Sequence, residues 1–298
     1  MAQNDKPQMI FDHSFTELIR QRFSCRTYRE QPVADPTRQQ LDAFISALPG
    51  GPFRKQPRFS LVAALDAEQA ALRGLGTYGF IRNAPGFIIG AAIPDGKYLE
   101  DFGYLMELII LKATDLGLGT CWLGGTFTKS GFGRKIAVMG NEEIPAVTAI
   151  GYIADKGKTK TGIVRQIADS NHRRPWERMF WDGRFGLPLT PDRAGAYAIP
   201  LEMVRLGPSA SNKQPWQILR AGDIWHFYLH RTEGYREGFF QRLLDLCDLQ
   251  RLDMGIAMCH FEQTAHQLGL DGKWVLDEPE IQKPDHLTEY SVSWVPGG

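Results

Sequence analysis

"DFGYLMELIILKATDLGLGTCW" at residues 101–122 and "DMGIAMCHFEQTAHQLGLDGKW" at 253–274 are two versions of one segment. Slid on itself by 152, the chain brings Asp101, Gly103, Met106, Ala113, Leu116, Gly117, Leu118 and Trp122 onto Asp253, Gly255, Met258, Ala265, Leu268, Gly269, Leu270 and Trp274. Chance would supply about one or two such matches in a comparison of this length. Shifted by 156, Pro32, Gly51 and Pro52 fall on Pro188, Gly207 and Pro208; shifted by 158, Lys55-Gln56-Pro57 falls on Lys213-Gln214-Pro215. The matched pieces keep their order, while 64–100 and 222–252 match poorly. Such self-similarity marks a duplicated unit of about 150 residues. The expected organisation is a first copy over 1–160, a second over 170–298, and a polar join near 154–172, "ADKGKTKTGIVRQIADSNH".

The composition suits a folded body. The chain has 298 residues, 43% apolar and 23% charged, ordinary globular values that argue against disorder. Lysine plus arginine and aspartate plus glutamate balance at 34 each, which gives a nucleic-acid partner no global electrostatic support. Cys25, Cys121, Cys247 and Cys259 are scattered without metal-type spacing and read as reduced thiols. The start "MAQNDKPQ" lacks signal-peptide character, and the longest apolar runs fall short of the ~20 residues of a membrane span. A cytoplasmic protein without a membrane or metal is expected.

Apolar residues at helical spacing predict helices over 14–22, 37–48, 101–116, 174–181, 192–204 and within 237–268. Strand-like runs are 59–65, 86–93, 145–153, 215–220, 224–230 and 288–295. Segment 101–120 is apolar on most faces and should be buried. The mixed order predicts an α+β protein whose two copies pack into one body.

Several motifs have ordinary explanations. "GLGTYG" at 74–79 spells a dinucleotide fingerprint but lacks the strand before and helix after that would give it meaning. His260 and His266 lie six apart, which does not place two ligands on one helical face. Trp122 and Trp274 recur as packing residues.

Two stretches are harder to dismiss. "RFSCRTY" puts Arg22, Ser24 and Arg26 on one side of an extended segment, two guanidinium forks and a hydroxyl suited to a phosphate dianion. A solvated polar face after a helix is the competing reading. "GPSASNKQPW" at 207–216 crowds small hydrogen-bonding side chains into one turn. Together with "GLGTCWLGG" at 117–125, these stretches resemble the nitroreductase family of flavin mononucleotide (FMN) enzymes, in the branch where two family units are fused in one chain. "LEMVRLGPSASNKQPW" and "RRPWERMFWDG" are the closest matches, and the resemblance spans nearly the whole chain.

The resemblance implies an intramolecular pseudo-dimer, a monomer holding FMN across its two copies. Arg22, Ser24 and Arg26 would hold the phosphate and ribityl end. Pro208, Ser209, Ser211, Asn212 and Gln214 would contact the isoalloxazine and ribityl chain. Gly124 and Gly125 match the place where a backbone N–H meets flavin N5, and Arg173 or Arg174 a late basic residue that reaches the phosphate. Arg-Phe-Ser stands here where Arg-Arg-Ser is common, one charge fewer. Shifted by 156, the clamp becomes Arg178, Phe180 and Asp182, and Phe53-Arg54 stands where the other turn has Ser-Ala-Ser-Asn, so one working flavin is expected. The implied chemistry passes a hydride from NADH or NADPH through FMN to a small-molecule electron acceptor such as a nitroaromatic or quinone. No protein nucleophile is needed. A reductase specific for one metabolite, such as a dehalogenase or enone reductase, and a non-enzymatic flavin-binding protein are the alternatives.

Overall fold

Ser14 starts the first helix in the computed structural model, which describes residues 10–63, 76–154, 172–235 and 247–297. Its hydroxyl accepts the Glu17 N–H while the Glu17 carboxylate accepts the Ser14 N–H, a reciprocal cap that sets the start of α1 (Phe15–Gln21). After α2 (Asp35–Ser46) come β1 (Arg58–Ala63), β2 (Gly86–Ala91), α3 (Tyr98–Asp115), β3 (Gly119–Leu123), α4 (Lys129–Lys135) and β4 (Val147–Gly151). The sheet runs β1-β2-β4-β3, with every pair antiparallel. Each residue of β2 and β4, the two inner strands, is buried, which is why β2 reads as an unbroken apolar run and β4 as one interrupted only by Thr148. α3 is buried from Leu99 to Asp115, as its all-round apolar character requires.

The chain divides into two units, Met1–Ile163 and Val164–Gly298. In the second, β5 (Phe180–Asp182), β6 (Arg184–Pro188), α5 (Pro191–Ala194) and α6 (Ala198–Arg205) precede β7 (Trp216–Ala221) and β8 (Ile224–His230). Then follow α7 (Leu249–Gln267), β9 (Gly272–Val275) and β10 (Thr288–Pro296). The sheet order is β6-β5-β7-β8-β10-β9. Its last four strands repeat the first unit's order strand for strand, and all are antiparallel. The duplication seen in the sequence is therefore a duplication of topology. Phe261 on α7 anchors the second core, with Tyr197 stacked at 5.6 Å, Phe227 at 5.2 Å and Trp294 at 5.8 Å between ring centroids.

The two units extend their sheets at opposite edges. In the first, Ser24 bridges Thr120 of β3 in parallel, beyond the edge strand. In the second, β5 lies parallel to β7, the counterpart of β1, with Phe180 opposite Ile218. Segments 22–26 and 178–182 thus border strands that do not correspond, and the shift of 156 between them is not a structural equivalence. Asp182 is no spoiled phosphate ligand; it ends a strand and pairs with Arg193 at 2.5 Å.

Other expectations are corrected in the same region. The helix expected over 174–181 is a 3-10 turn, Trp176–Arg178, followed by β5. Trp176 and Phe180 mimic helical spacing, yet Pro175 caps the turn and Phe180 is buried in the sheet. The single helix expected over 192–204 is cut at Gly195, whose φ of 58° and ψ of −129° leave the helical region. β3, α4, β6 and β9 were not expected from the periodicity; all are short. The join at 154–172, apart from Ala154 and His172, lies outside the described residues, as do 64–65 of the first expected strand and 237–246 of the last expected helix. Of "GLGTYG", Gly76 to Gly79 are described, and Tyr78 and Gly79 form a turn closed by the Phe80 N–H on the Thr77 carbonyl rather than a helix. His260 is fully buried, and its Nδ1–H donates to the Met203 carbonyl at 2.9 Å.

Candidate functional site

The first unit gathers its candidate residues along β3. Ser24 lies opposite Thr120, and the Cys25 N–H donates to the Thr120 carbonyl at 2.8 Å. Strand and segment run the same way, so β3 carries the chain from Thr120 to the half-buried Gly124 and Gly125, roughly 13 Å further on by strand rise. Arg22 caps the end of α1 and its side chain is only 4% exposed. Its Nε stands 3.6 Å from the Glu107 carboxylate on α3, without a hydrogen-bond partner of its own among the described residues. Glu107 also accepts the Trp122 indole N–H at 2.7 Å. Arg26 is half-buried and close enough to Cys121 on β3 for its charge to act on the thiol. Burial pushes the Cys121 thiol up to about 11, and the charges of Arg26 and Arg22 hold it down against that push. Both guanidiniums therefore stand near one point of β3, faced by one buried carboxylate. The arrangement retains a net positive charge in a partly dry place, where an anion is favoured. Glu107 went unnoticed in the sequence because the repeat has Cys259 at its place; Glu262 does the equivalent work one turn along α7, accepting the Trp274 indole at 2.8 Å.

The second unit gathers the rest around the turn before β7. The Gln214 N–H donates to Ser209 Oγ at 2.8 Å, and the Asp253 carboxyl on α7 accepts the Ala210 N–H at 3.0 Å. The side-chain amides of Asn212 and Gln214 both donate to the His172 carbonyl, at 2.9 and 3.3 Å. Arg173 Nη1 donates to Asn212 Oδ1 at 3.3 Å and its Nη2 to the Leu206 carbonyl at 3.1 Å. The Arg174 N–H donates to Gln214 Oε1 at 2.9 Å. Arg173, Arg174, Ser209, Asn212 and Gln214, named separately from the sequence, thus form one hydrogen-bonded cluster.

The cluster sorts the candidates. Gln214 is 2% exposed and spends its amide inside the turn, as Ser209 spends its hydroxyl. Ser211 is exposed, and Pro208 and Asn212 are half-buried. Arg173 is committed to the turn. The half-buried Arg174 guanidinium forms no ion pair among the described residues, and burial and the neighbouring Arg178 both lower its proton affinity. An unneutralised cation of this kind is suited to a phosphate. The fold thus distinguishes the two arginines.

A family model described as "Putative TM nitroreductase" matches residues 14–265. The chain belongs to this nitroreductase family. Among solved structures, a putative nitroreductase from Thermotoga maritima covers 98% of this chain and 98% of its own, at 18% identity and a TM-score of 0.58. The nitroreductase-like α+β fold therefore extends over the chain's whole length. An FMN-dependent nitroreductase from Clostridium difficile covers 49% of this chain and 95% of its own, at 19% identity and a TM-score of 0.37. A putative NADH oxidase from Clostridium acetobutylicum covers 47% of this chain and 89% of its own, at 21% identity and a TM-score of 0.38. No curated protein matches the chain.

Proposed function

We propose that this nitroreductase-family chain is an FMN-dependent oxidoreductase that takes a hydride from NADH or NADPH and delivers it to a small electron acceptor, such as a nitroaromatic or a quinone. The observation that carries the reading is the Arg22–Arg26 segment. Two arginines and a hydroxyl sit against β3, and among the described residues a buried guanidinium nitrogen there has no hydrogen-bond partner. That donor set fits a phosphate. Arg22, Ser24, Arg26 and Arg174 would hold the phosphate end, Pro208, Ser211 and Asn212 would contact the ring, and Ser209 and Gln214 would stiffen the turn that presents them. The backbone of Gly124 and Gly125, which have no side chain to block an approach, would border the reacting edge. When bound, FMN supplies hydride acceptance and donation, so the chain itself supplies binding, orientation and charge.

One flavin per chain is expected. Among the described residues β9 has no counterpart of the 22–26 segment beside it, and the turn at 51–57 lacks the Ser-Ala-Ser-Asn run. Flavin released by acid from protein of known concentration should approach one equivalent, and it should sediment with the monomer. Two equivalents would overturn the stoichiometry; no affinity for added FMN would overturn the reading. Bleaching of the flavin absorbance by NADH or NADPH separates an enzyme from a flavin-binding protein, and acceptor profiling separates a broad reductase from one specific for a single metabolite.

A further inference from the structure

Asp101 and Asp253 coincide under the 152-residue shift, and each stands near the start of its unit's long buried helix. They are 0% and 2% exposed. A buried carboxyl needs compensation, and both find it in the backbone of a turn far away in sequence. Asp101 accepts the Phe53 N–H at 3.0 Å and the Lys55 N–H at 2.8 Å. Asp253 accepts the Ala210 N–H with both oxygens, at 3.0 and 3.2 Å.

The turns they hold contain the same backbone irregularity. Arg54 has φ of 61° in the first, and Ser211 has φ of 50° in the second, followed by Asn212 at 54° and Gln214 at 48°. A residue other than glycine in the left-handed region is strained and persists only where its surroundings impose it. Three such residues lie within four positions of the second turn, next to the Asp253 contact.

We propose that Asp253 is a positioning residue for the flavin ring: by holding the Ala210 N–H it fixes the left-handed backbone of Ser211 and Asn212 and so the direction in which their side chains are presented. This rests on the FMN reading above. Burial and the nearby Asp248 drive the Asp253 carboxyl toward its neutral acid form. Asparagine, neutral and of the same shape, retains the accepting oxygen and should stand in for it; leucine fills the space and accepts nothing.

The test is titration of riboflavin and FMN by fluorescence quenching, with a thermal melt for each variant. Asp253→Leu should weaken both ligands about tenfold, and Asp253→Asn should restore most of the affinity. Asp101→Leu, which removes the same anchor from the other turn, should lower Tm comparably and leave riboflavin affinity unchanged. A purely structural Asp253 would lower Tm without that selective loss. If Asp253→Leu does not fold, Ala210→Pro removes the donor and retains the acid. Proline suits the first position of this 3-10 turn, and Ser209 before it is already extended at φ −148° and ψ 160°. Ala210→Pro should show the same loss. Riboflavin binding at wild-type strength in Asp253→Leu, or in Ala210→Pro where that variant is needed, overturns the proposal. Asn212→Ala separates the two failures: if it weakens riboflavin while the anchor variants do not, the anchor is wrong and the flavin reading stands. If none of them matters, the flavin reading fails at this turn.

Discussion

The turn from Gly51 to Pro57 and the turn from Gly207 to Pro215 begin and end alike, yet the second is two residues longer. In the short turn one aspartate takes two backbone N–H groups, those of Phe53 and Lys55. In the long turn Asp253 takes one, and the Ser209 hydroxyl takes the other, from Gln214. The added length thus brings its own internal support, leaves Ser211 exposed and ties Asn212 to Arg173 and the His172 carbonyl. Skeleton and chemistry are separable here. Gly-Pro, a buried aspartate and left-handed residues make the turn; what is inserted into it decides whether it can bind anything.

The comparison breaks most sharply through the first unit's arginines. Arg26→Asp removes a charge-assisted hydrogen bond to phosphate and adds repulsion, a loss of ~1.5–3 kcal/mol or tenfold to a hundredfold in FMN affinity. Riboflavin, which lacks the phosphate, should bind wild type and variant about equally in the same fluorescence titration. Equal FMN binding would make Arg22, Ser24 and Arg26 a structural edge of β3 only.

A second test stays within the short turn. A Cβ on Gly51 would stand 2.2 Å from the Asp101 carboxyl carbon, so Gly51→Ala must displace the group that holds Phe53 and Lys55. Destabilisation of about 1–3 kcal/mol is expected from such overpacking, read from urea or thermal unfolding. Flavin affinity should not follow it down. In the long turn, Asn212→Ala should weaken FMN and riboflavin alike by about fivefold, the value of one ordinary hydrogen bond, with some loss of Tm because it also removes the Asn212 bonds to His172 and Arg173.

The smallest effect is one of pH. Burial raises the Asp101 carboxyl from 3.8 to about 6. Its folded form therefore holds a proton that the unfolded chain has released, and this contribution to stability falls as pH rises from about 4 to about 6, then levels. Asp101→Asn should remove that part of the slope. Asp253 is shifted in the same direction by burial, so Asp253→Asn should remove a slope of the same sign. An unchanged slope in both asparagine variants would contradict the effect of burial on the two carboxyls.

The repeat was legible because Asp101, Gly103, Met106 and Trp122 are tied to packing and capping that both units need. The central strands and long helices were legible for the same reason: β2, β4 and α3 are enclosed on all sides and admit little else. Edges were not. Residues 178–182 look like a counterpart of 22–26 in a linear comparison, but pairing at a sheet edge is decided by tertiary contacts that a shift along the chain does not encode. The candidate site was legible in its Ser211, Asn212 and arginine side chains. Its buried supports were not, although the matching Asp101 and Asp253, two acids inside apolar helices, were a signal already present in the repeat. Glu107 left no such signal, since its partner sits three residues out of register.

The indoles are unevenly shared. Of seven tryptophans, only Trp122 belongs to the first unit; Trp176, Trp181, Trp216, Trp225, Trp274 and Trp294 belong to the second. Intrinsic emission is therefore chiefly a signal from one half of the molecule, and a melt followed at that wavelength would pass almost silently over early loss of the other. Trp122 is the exception, and its N–H rests on the glutamate that faces Arg22. With the six others replaced by phenylalanine or tyrosine where packing tolerates it, its colour would become an optical gauge of the arginine edge, readable without any added ligand.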